Sequence, residues 1–259
     1  MNVRPRKDRG QNFLIEEGFV SAIVDFGAAQ PGETLIEIGP GLGALTGLLS
    51  KYPNLSVIEI EEEFCADLRR RFPQITVIEE DVRAVDFGTL GKDLVVFGNL
   101  PYALSTEIIF HLVANAQHIK RAVLMLQREF AERLGAKPHT RDYGTISVAV
   151  QLWADITLGK VIPGTAFHPR ANVDSRLIKL SFLKEPRYPI GDPLWFQRVV
   201  RASFSQRRKK LHNSLKSSML VQVGKVDQAL ATSGIDGNRR AETLTIEEFT
   251  ILAKALAEE

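Results

Sequence analysis

Asn99-Leu100-Pro101-Tyr102 sets a side-chain amide, backbone carbonyls and an aromatic ring in one short run. Pro101 biases Leu100 away from the helical region and towards an extended backbone. An extended Asn99-Leu100 pair can aim the amide and its neighbouring carbonyls at one point, with the flat face of Tyr102 beside it. Acceptors and a ring in that arrangement suit the holding of a planar group. Taken alone, the same residues also make a strand-end turn, because Asn and Pro are ordinary turn residues.

A second set of candidates lies upstream. Glu37 precedes Gly39-Pro40-Gly41-Leu42-Gly43, a G-x-G-x-G turn. A dinucleotide fingerprint needs G-x-G-x-x-G, where a helix N-terminus meets a pyrophosphate. Here the third glycine comes one residue early, and no other phosphate-cradling feature accompanies it. Glycines in such a turn let the backbone approach a ligand closely. Glu59 is placed to accept both hydroxyl protons of a ribose, and Asp81 to accept from an adenine amino group. Taken singly, Glu59 reads equally as an exposed strand-end acid and Asp81 as a helix N-cap, a position that Asp favours.

These residues need strand ends to carry them. The pattern predicts strands over 34–38, 55–60, 75–78, 94–97 and 122–126, and helices over 16–28, 44–50, 62–72, 105–114 and 129–134. Strand, glycine turn, helix is the first unit of a doubly wound α/β fold, whose ligands sit at the carboxyl ends of the strands. The run 143–152 reads as helix, 156–162 as strand and 176–182 as a last, alternating strand. The alternation argues for one sheet with helices on both faces. After Glu185-Pro186-Arg187-Tyr188-Pro189 the pattern turns wholly helical. The expected division is therefore residues 1–185, an α/β domain with a basic N-terminal arm, and residues 186–259, a small all-α domain.

Composition narrows the function classes. A chain of 259 residues with 44% hydrophobic and 25% charged content is that of a soluble globular protein with room for a large and a small domain. It has no apolar run of bilayer-spanning length. The start is polar and basic, without an apolar signal core, so a cytoplasmic location is expected. One cysteine, Cys65, excludes an internal disulfide, and five scattered histidines give no ligand spacing, so no metal centre is expected. The net charge is only +2, yet residues 193–226 hold eight Arg and Lys and no Asp or Glu. Arg4, Arg6, Lys7 and Arg9 add a second basic stretch. Local basic runs on a near-neutral chain suggest a polyanion track.

The order of these elements resembles the S-adenosylmethionine-dependent methyltransferases, with their E-x-G-x-G-x-G turn, and among them the nucleic-acid amino-methyltransferases. Further motifs narrow the resemblance: Gly10-Gln11-Asn12-Phe13-Leu14, Tyr143-Gly144, Ser147-Val148, Phe167-x-Pro169, Val173-Asp174-Ser175, and Phe204-x-x-Arg207-Arg208-Lys209-x-Leu211-x-Asn213. With them the chain is similar to the ribosomal RNA adenine dimethyltransferases, and most to the bacterial small-subunit branch linked to kasugamycin sensitivity. The resemblance covers Arg9 to about Phe249. It implies a Rossmann-like class I methyltransferase domain followed by the small helical domain.

The resemblance further implies dimethylation of N6 on two adjacent adenosines in a hairpin loop near the 3′ end of 16S rRNA, within the immature 30S subunit. S-adenosylmethionine is the implied cofactor, without a metal, and the implied enzyme is monomeric. Asn12 and Leu14 match the arm that closes over the cofactor. Gly39, Gly41, Glu59, Asp81, Val82 and Asn99 match cofactor contacts. Asn99, Leu100, Pro101 and Tyr102 match the target-base motif, and Phe167 an aromatic on the other side of the base. Arg207, Arg208, Lys209 and Lys210 are expected to contact RNA phosphates. The family usually carries Asn after the motif tyrosine, where this chain has Ala103. Two other readings stand beside this one: the related large-subunit rRNA methylases, and a non-catalytic ribosome-assembly or transcription factor that keeps the fold as an RNA-binding module.

Overall fold

The computed structural model describes residues 12–257. The expected basic arm therefore lies, apart from Asn12, outside the described residues. In chain order the elements are β1 (Phe13–Leu14), α1 (Glu17–Gly27), β2 (Leu35–Ile38), α2 (Ala44–Leu49), β3 (Leu55–Glu59), α3 (Glu62–Arg71), β4 (Thr76–Glu79), α4 (Phe87–Leu90), β5 (Leu94–Asn99), α5 (Ser105–Ala114), β6 (Ile119–Gln127), α6 (Arg128–Leu134), α7 (Thr145–Trp153), β7 (Ala154–Ile162), β8 (Phe167–His168), β9 (Ser175–Phe182), α8 (Pro193–Phe204), α9 (Leu211–Ser217), α10 (Val223–Ser233) and α11 (Ile246–Ala257).

Seven strands form one sheet in the order β4-β3-β2-β5-β6-β9-β7. The run from β4 to β6 is parallel, and β9 returns antiparallel beside β6. The central strands are largely apolar because helices cover both faces of such a sheet, although β2 carries the buried Glu37. Val95, Val96 and Phe97 are wholly buried, each stabilising the fold by roughly 1.5–3 kcal/mol. The chain travels from β2 outwards through β3 and β4, then crosses back to β5 on the other side of β2. The β2/β5 boundary is thus the topological switch point, where open α/β sheets bind their ligands.

Register then sets the heights of the candidate residues. Ile38 pairs with Ile58 on one side and with Gly98 on the other. Gly39, Glu59 and Asn99 are each one residue further on, so all three emerge level at the carboxyl edge. Glu59 pairs with Glu79, which puts Asp81 two residues beyond the end of β4. The expected strand 94–97 runs two residues longer, so Asn99 belongs to the strand and inherits its rigidity.

The chain divides into two compact units, and the division differs from the expected cut at residue 185. One unit takes the chain up to Ala131 together with Asp155–Lys184. The other combines Glu132–Ala154 with the chain from Glu185 onward. The reason is packing. Tyr143, Val148 and Leu152 are buried in the same core as Phe196, Phe204, Leu215 and Phe249. Arg207 adds a polar tie within this unit: its Nη2 donates to the Tyr143 carbonyl at 2.8 Å and also to that of Arg141. The helical unit is thus built from two separate stretches of chain.

Candidate active site

On the cofactor side, the turn after β2 is tied to the ends of its neighbours. Gly39 N–H donates to the Ile58 carbonyl at 2.9 Å. Glu59 is only 6% exposed. Its Oε2 accepts the Gly41 N–H at 3.1 Å, and its Oε1 accepts the N–H groups of Ile60 and Glu61 at 2.8 and 3.0 Å. Glu59 is therefore a bracket between the glycine turn and β3, and the exposed strand-end alternative is not realised.

Gly41 has φ +51, and a Cβ there would come within 2.9 Å of the Phe13 ring. Glycine is required twice over, by a left-handed backbone and by close approach. Phe13 in turn stands edge-on to Phe64, with ring centroids 5.8 Å apart. Glu37, below the turn, is buried, and its Oε2 accepts the Thr46 hydroxyl at 2.6 Å. Burial pushes its carboxyl up to about 7 against the lowering effect of that hydrogen bond, and the Glu59 charge adds to the rise.

Asp81 is not a helix N-cap. Its Oδ1 accepts the backbone N–H of Arg83 at 2.9 Å, and the Arg83 guanidinium grips both carboxylate oxygens, Nε to Oδ1 at 3.0 Å and Nη2 to Oδ2 at 2.6 Å. Those side-chain hydrogen bonds hold the Asp81 carboxyl below its usual range, against partial burial. Val82 beside it is buried. Arg83 was missed by sequence reasoning, although an acid and an arginine two residues apart are a readable pair.

The set fits S-adenosylmethionine. Carboxylates at the ends of β3 and β4 suit ribose hydroxyls and an adenine amine, buried Val82 and Leu14 supply apolar surface, and the glycine turn exposes backbone without a phosphate cradle. Among the described residues no cluster of metal-ligating side chains occurs.

On the target side, Asn99 Nδ2 donates to the Asn12 carbonyl at 3.1 Å. That bond fixes which end of the amide is the donor and makes Oδ1 the acceptor end. The Leu100 N–H donates to the Met125 carbonyl at 3.2 Å, which anchors the motif to β6. Pro101 is extended (φ −58, ψ 130) and opens a short 3-10 turn, Tyr102–Leu104. The half-buried Tyr102 shares a hydrogen bond of 2.8 Å with the Ser175 hydroxyl at the start of β9. Burial raises the Tyr102 hydroxyl's pKa, and the Ser175 bond opposes the rise.

β1 joins this group through an antiparallel pairing with β8, Leu14 opposite Phe167. Asn12, Leu14, Asn99 and Phe167 are thereby linked by two sets of bonds. Phe167 itself is only 3% exposed and packs in the main core with Leu14 and Ala166. It presents no open face, so it differs from the stacking aromatic that was expected. Tyr102 is the half-open ring of the pair.

All four basic residues expected at RNA are exposed. Arg207 Nη2 also donates to the carbonyls of Arg141 and Tyr143, and Lys210 Nζ to Asn238 Oδ1 at 2.8 Å. Arg208 and Lys209 lie between them in the chain. No helix among the described residues is long and apolar enough to cross a membrane.

Comparison with known proteins shows the family of the chain. The family model described as ribosomal RNA adenine dimethylase matches residues 2–258. A protein of Thiobacillus denitrificans named ribosomal RNA small subunit methyltransferase A is 41% identical over 256 residues, covering 98% of each chain. A protein of the same name from Geobacter metallireducens is 38% identical over 264 residues, covering 98% of this chain and 96% of that one. Among solved structures, a dimethyladenosine transferase from Plasmodium falciparum superposes with a TM-score of 0.80 at 23% identity, covering 93% of this chain and 95% of that one. The 23S rRNA methyltransferase ErmE follows with a TM-score of 0.68 at 22% identity, covering 95% and 100%. These two show the fold. The full-length family match and the curated relatives place the chain in the ribosomal RNA adenine dimethylase family.

Proposed function

We propose that the protein transfers methyl groups from S-adenosylmethionine to N6 of two adjacent adenosines in the 3′-terminal hairpin loop of 16S rRNA, a step in small-subunit biogenesis. The observation that carries the reading is the level of Asn99. Its amide, oriented by Asn12, leaves the sheet beside the glycine turn at the switch point. The small-subunit name shared by the curated relatives favours 16S over 23S rRNA as substrate.

The adenine N6 lone pair is delocalised into the ring, which makes it a poor nucleophile. When bound, the cofactor supplies a methyl group on a sulfonium that is already strongly electrophilic. The protein's task is then to position the amine. Asn99 Oδ1 and the Leu100 carbonyl accept the two N6 hydrogens, which favours a more tetrahedral nitrogen with its lone pair aimed across the switch point. Tyr102 stacks on the splayed base, as single-stranded RNA recognition commonly requires. Phe167 acts behind it, as buried support for the arm residues Asn12 and Leu14. Gly39, Gly41, Glu59, Asp81 and Val82 hold the cofactor, and the arm covers it. None of the residues Asn99 to Tyr102 is a general base, and the proton leaves to water after transfer.

Arg208 and Lys209 contact phosphates, while Arg207 and Lys210 shape the segment that presents them. The enzyme acts as a cytoplasmic monomer on the immature 30S particle. The test is mass spectrometry of small-subunit rRNA after incubation of immature 30S particles with the protein and labelled cofactor. Dimethyladenosine at two neighbouring positions is the expected product. Label in a parallel incubation with naked 23S rRNA but not in the 30S particles, or in neither, overturns the reading.

A further inference from the structure

Beside the target motif lies a cavity of about 450 Å³ that none of the residues assigned above lines. Gln127 at the end of β6 and Glu129 at the start of α6 form one wall, and the loop between β7 and β9 forms the other, with Thr165, Arg170, Asn172 and Asp174. The loop wall is built rather than draped. Ala171 N–H donates to the Gly164 carbonyl at 3.0 Å, and Asp174 Oδ1 accepts the Gly164 N–H at 3.2 Å. A Cβ at Gly164 would meet the Ala171 carbonyl oxygen at 2.3 Å, so the two sides of the loop close only on glycine. The Arg128 N–H, donated to the Asp174 carbonyl at 2.9 Å, ties this loop to β6.

The cavity is coupled to the target motif. Gln127 pairs with Ser175 across β6 and β9, and Ser175 bonds Tyr102. Gln127 lies one strand over and two residues beyond Met125, the partner of Asn99. Strand spacing and rise put the two Cα atoms roughly 8 Å apart. The size falls within the roughly 300–1,000 Å³ of small-ligand sites. The lining is mixed: it includes Arg128 and Arg170, the carboxylates of Glu129 and Asp174, the amides of Gln127 and Asn172 and the hydroxyl of Thr165. A bare phosphate would meet a surface with no net charge. A nucleoside suits it better, since base edges and ribose hydroxyls both donate and accept.

We propose that this cavity is a second nucleoside subsite, which takes the nucleotide next to the adenosine held at Asn99. The inference rests on the proposed function, because only an RNA substrate brings a covalently attached neighbour to this place. A base splayed out to reach Asn99 breaks its stack on that neighbour, and the cavity receives what is released. The neighbour then fixes the register of the strand, so that the two adjacent adenosines are presented in turn.

Two variants test it on immature 30S particles. Asn172→Trp fills the cavity from an exposed loop position, and Arg170→Gln removes donors without added bulk. S-adenosylmethionine affinity, measured by calorimetry, reports whether the fold survives. The expected result is unchanged cofactor affinity in both variants, a fall in kcat/KM for the particle of about tenfold in Asn172→Trp, and accumulation of rRNA methylated at one adenosine only. A smaller fall of the same kind is expected for Arg170→Gln. If Asn172→Trp loses cofactor affinity, Arg170→Gln alone decides. Wild-type kcat/KM with both adenosines fully dimethylated in the deciding variants overturns the subsite. Absence of any transfer by the wild-type protein instead overturns the proposed function, and the subsite with it.

Discussion

The Asn12 carbonyl accepts a hydrogen bond from Asn99 Nδ2 at 3.1 Å, across 87 residues of sequence. The bond joins the end of the N-terminal arm to the acceptor that the chemistry needs. It also decides the amide's orientation, because an amide that donates through Nδ2 to one side presents Oδ1 to the other. Under the proposed function, the contact that ties Asn12 to β5 is also the one that orients the acceptor.

Asn99→Ala removes that acceptor. Transfer to 30S particles should fall by at least about a hundredfold, the scale of lost positioning. Cofactor affinity should weaken only modestly, since Glu59 and the glycine turn remain. Asn99→Asp offers two acceptor oxygens but nothing to donate to Asn12. It should lose activity as well, with a larger loss of cofactor affinity if the arm is released. Single-turnover rates and calorimetry on the two variants separate these effects.

Tyr102 can be divided in the same manner. Tyr102→Phe keeps the ring and removes only the bond to Ser175, a net loss of about 1 kcal/mol. Its KM for the particle should stay close to that of the wild type. Tyr102→Ala removes the stacking face, worth roughly 1–3 kcal/mol per base, and should raise KM about tenfold or more. Equal effects of the two variants would mean that the hydroxyl, not the ring, carries the role.

Arg207 and its neighbours are all exposed but differ in their hydrogen-bond partners. Arg208 and Lys209 are exposed, so the double variant to Gln should lower the slope of log affinity against log salt by about 1.4, as loss of two phosphate contacts on single-stranded RNA requires. Arg207→Gln breaks the ties to Arg141 and Tyr143 inside the helical unit. It should lower the melting temperature and leave the salt slope almost unchanged.

The α/β alternation and the strand-end positions of Glu59 and Asn99 were legible because a parallel α/β fold follows local rules: buried runs make strands, and ligands gather at their carboxyl ends. The pairing of β1 with β8 was not legible. Two-residue strands at Phe13–Leu14 and Phe167–His168 carry no periodicity. The burial of Phe167 was hidden for the same reason, since its partner Leu14 is found only through that pairing. The helix Thr145–Trp153 was readable as a helix, yet its membership of the second unit depends on which core receives Tyr143 and Leu152, a property of three-dimensional packing alone. Charge runs show that cations are present and not whether a carbonyl already holds them, which is why Arg207 and Lys210 read like Arg208 and Lys209.

Away from the site, Glu33 links the start of β2 to β6. Its carboxylate accepts from Arg121 Nη2 at 2.6 Å and from Lys120 Nζ at 2.8 Å, and the Glu33 and Arg121 side chains are 13% and 12% exposed. The Arg121 hydrogen bond, chiefly, lowers its pKa from 4.5 to about 2, against burial. The folded state thus binds this proton more weakly than the unfolded chain. The stabilisation is complete above pH 4.5 and is lost as pH falls towards 2. Glu33→Gln should cost about 2–3 kcal/mol at pH 7, and the difference should vanish near pH 2 in denaturant titrations.

Glu37 has the opposite sign. Its pKa is raised from 4.5 to about 7, mainly by burial, so the folded state holds the proton more tightly than the unfolded chain does. Its contribution is therefore fully present below pH 4.5 and declines as pH rises through 7. Glu37→Gln keeps an acceptor for the Thr46 hydroxyl and removes the charge. In the absence of cofactor, the variant should gain stability relative to the wild type between pH 5 and pH 8, by about 1–3 kcal/mol at the upper end. Denaturant midpoints measured across that range check the sign directly: the gap should widen with rising pH for Glu37→Gln, and over pH 2 to 5 it should widen in the opposite sense for Glu33→Gln. A constant gap at position 37 would mean that the Thr46 hydroxyl holds the carboxylate ionised beneath the turn at all of these pH values.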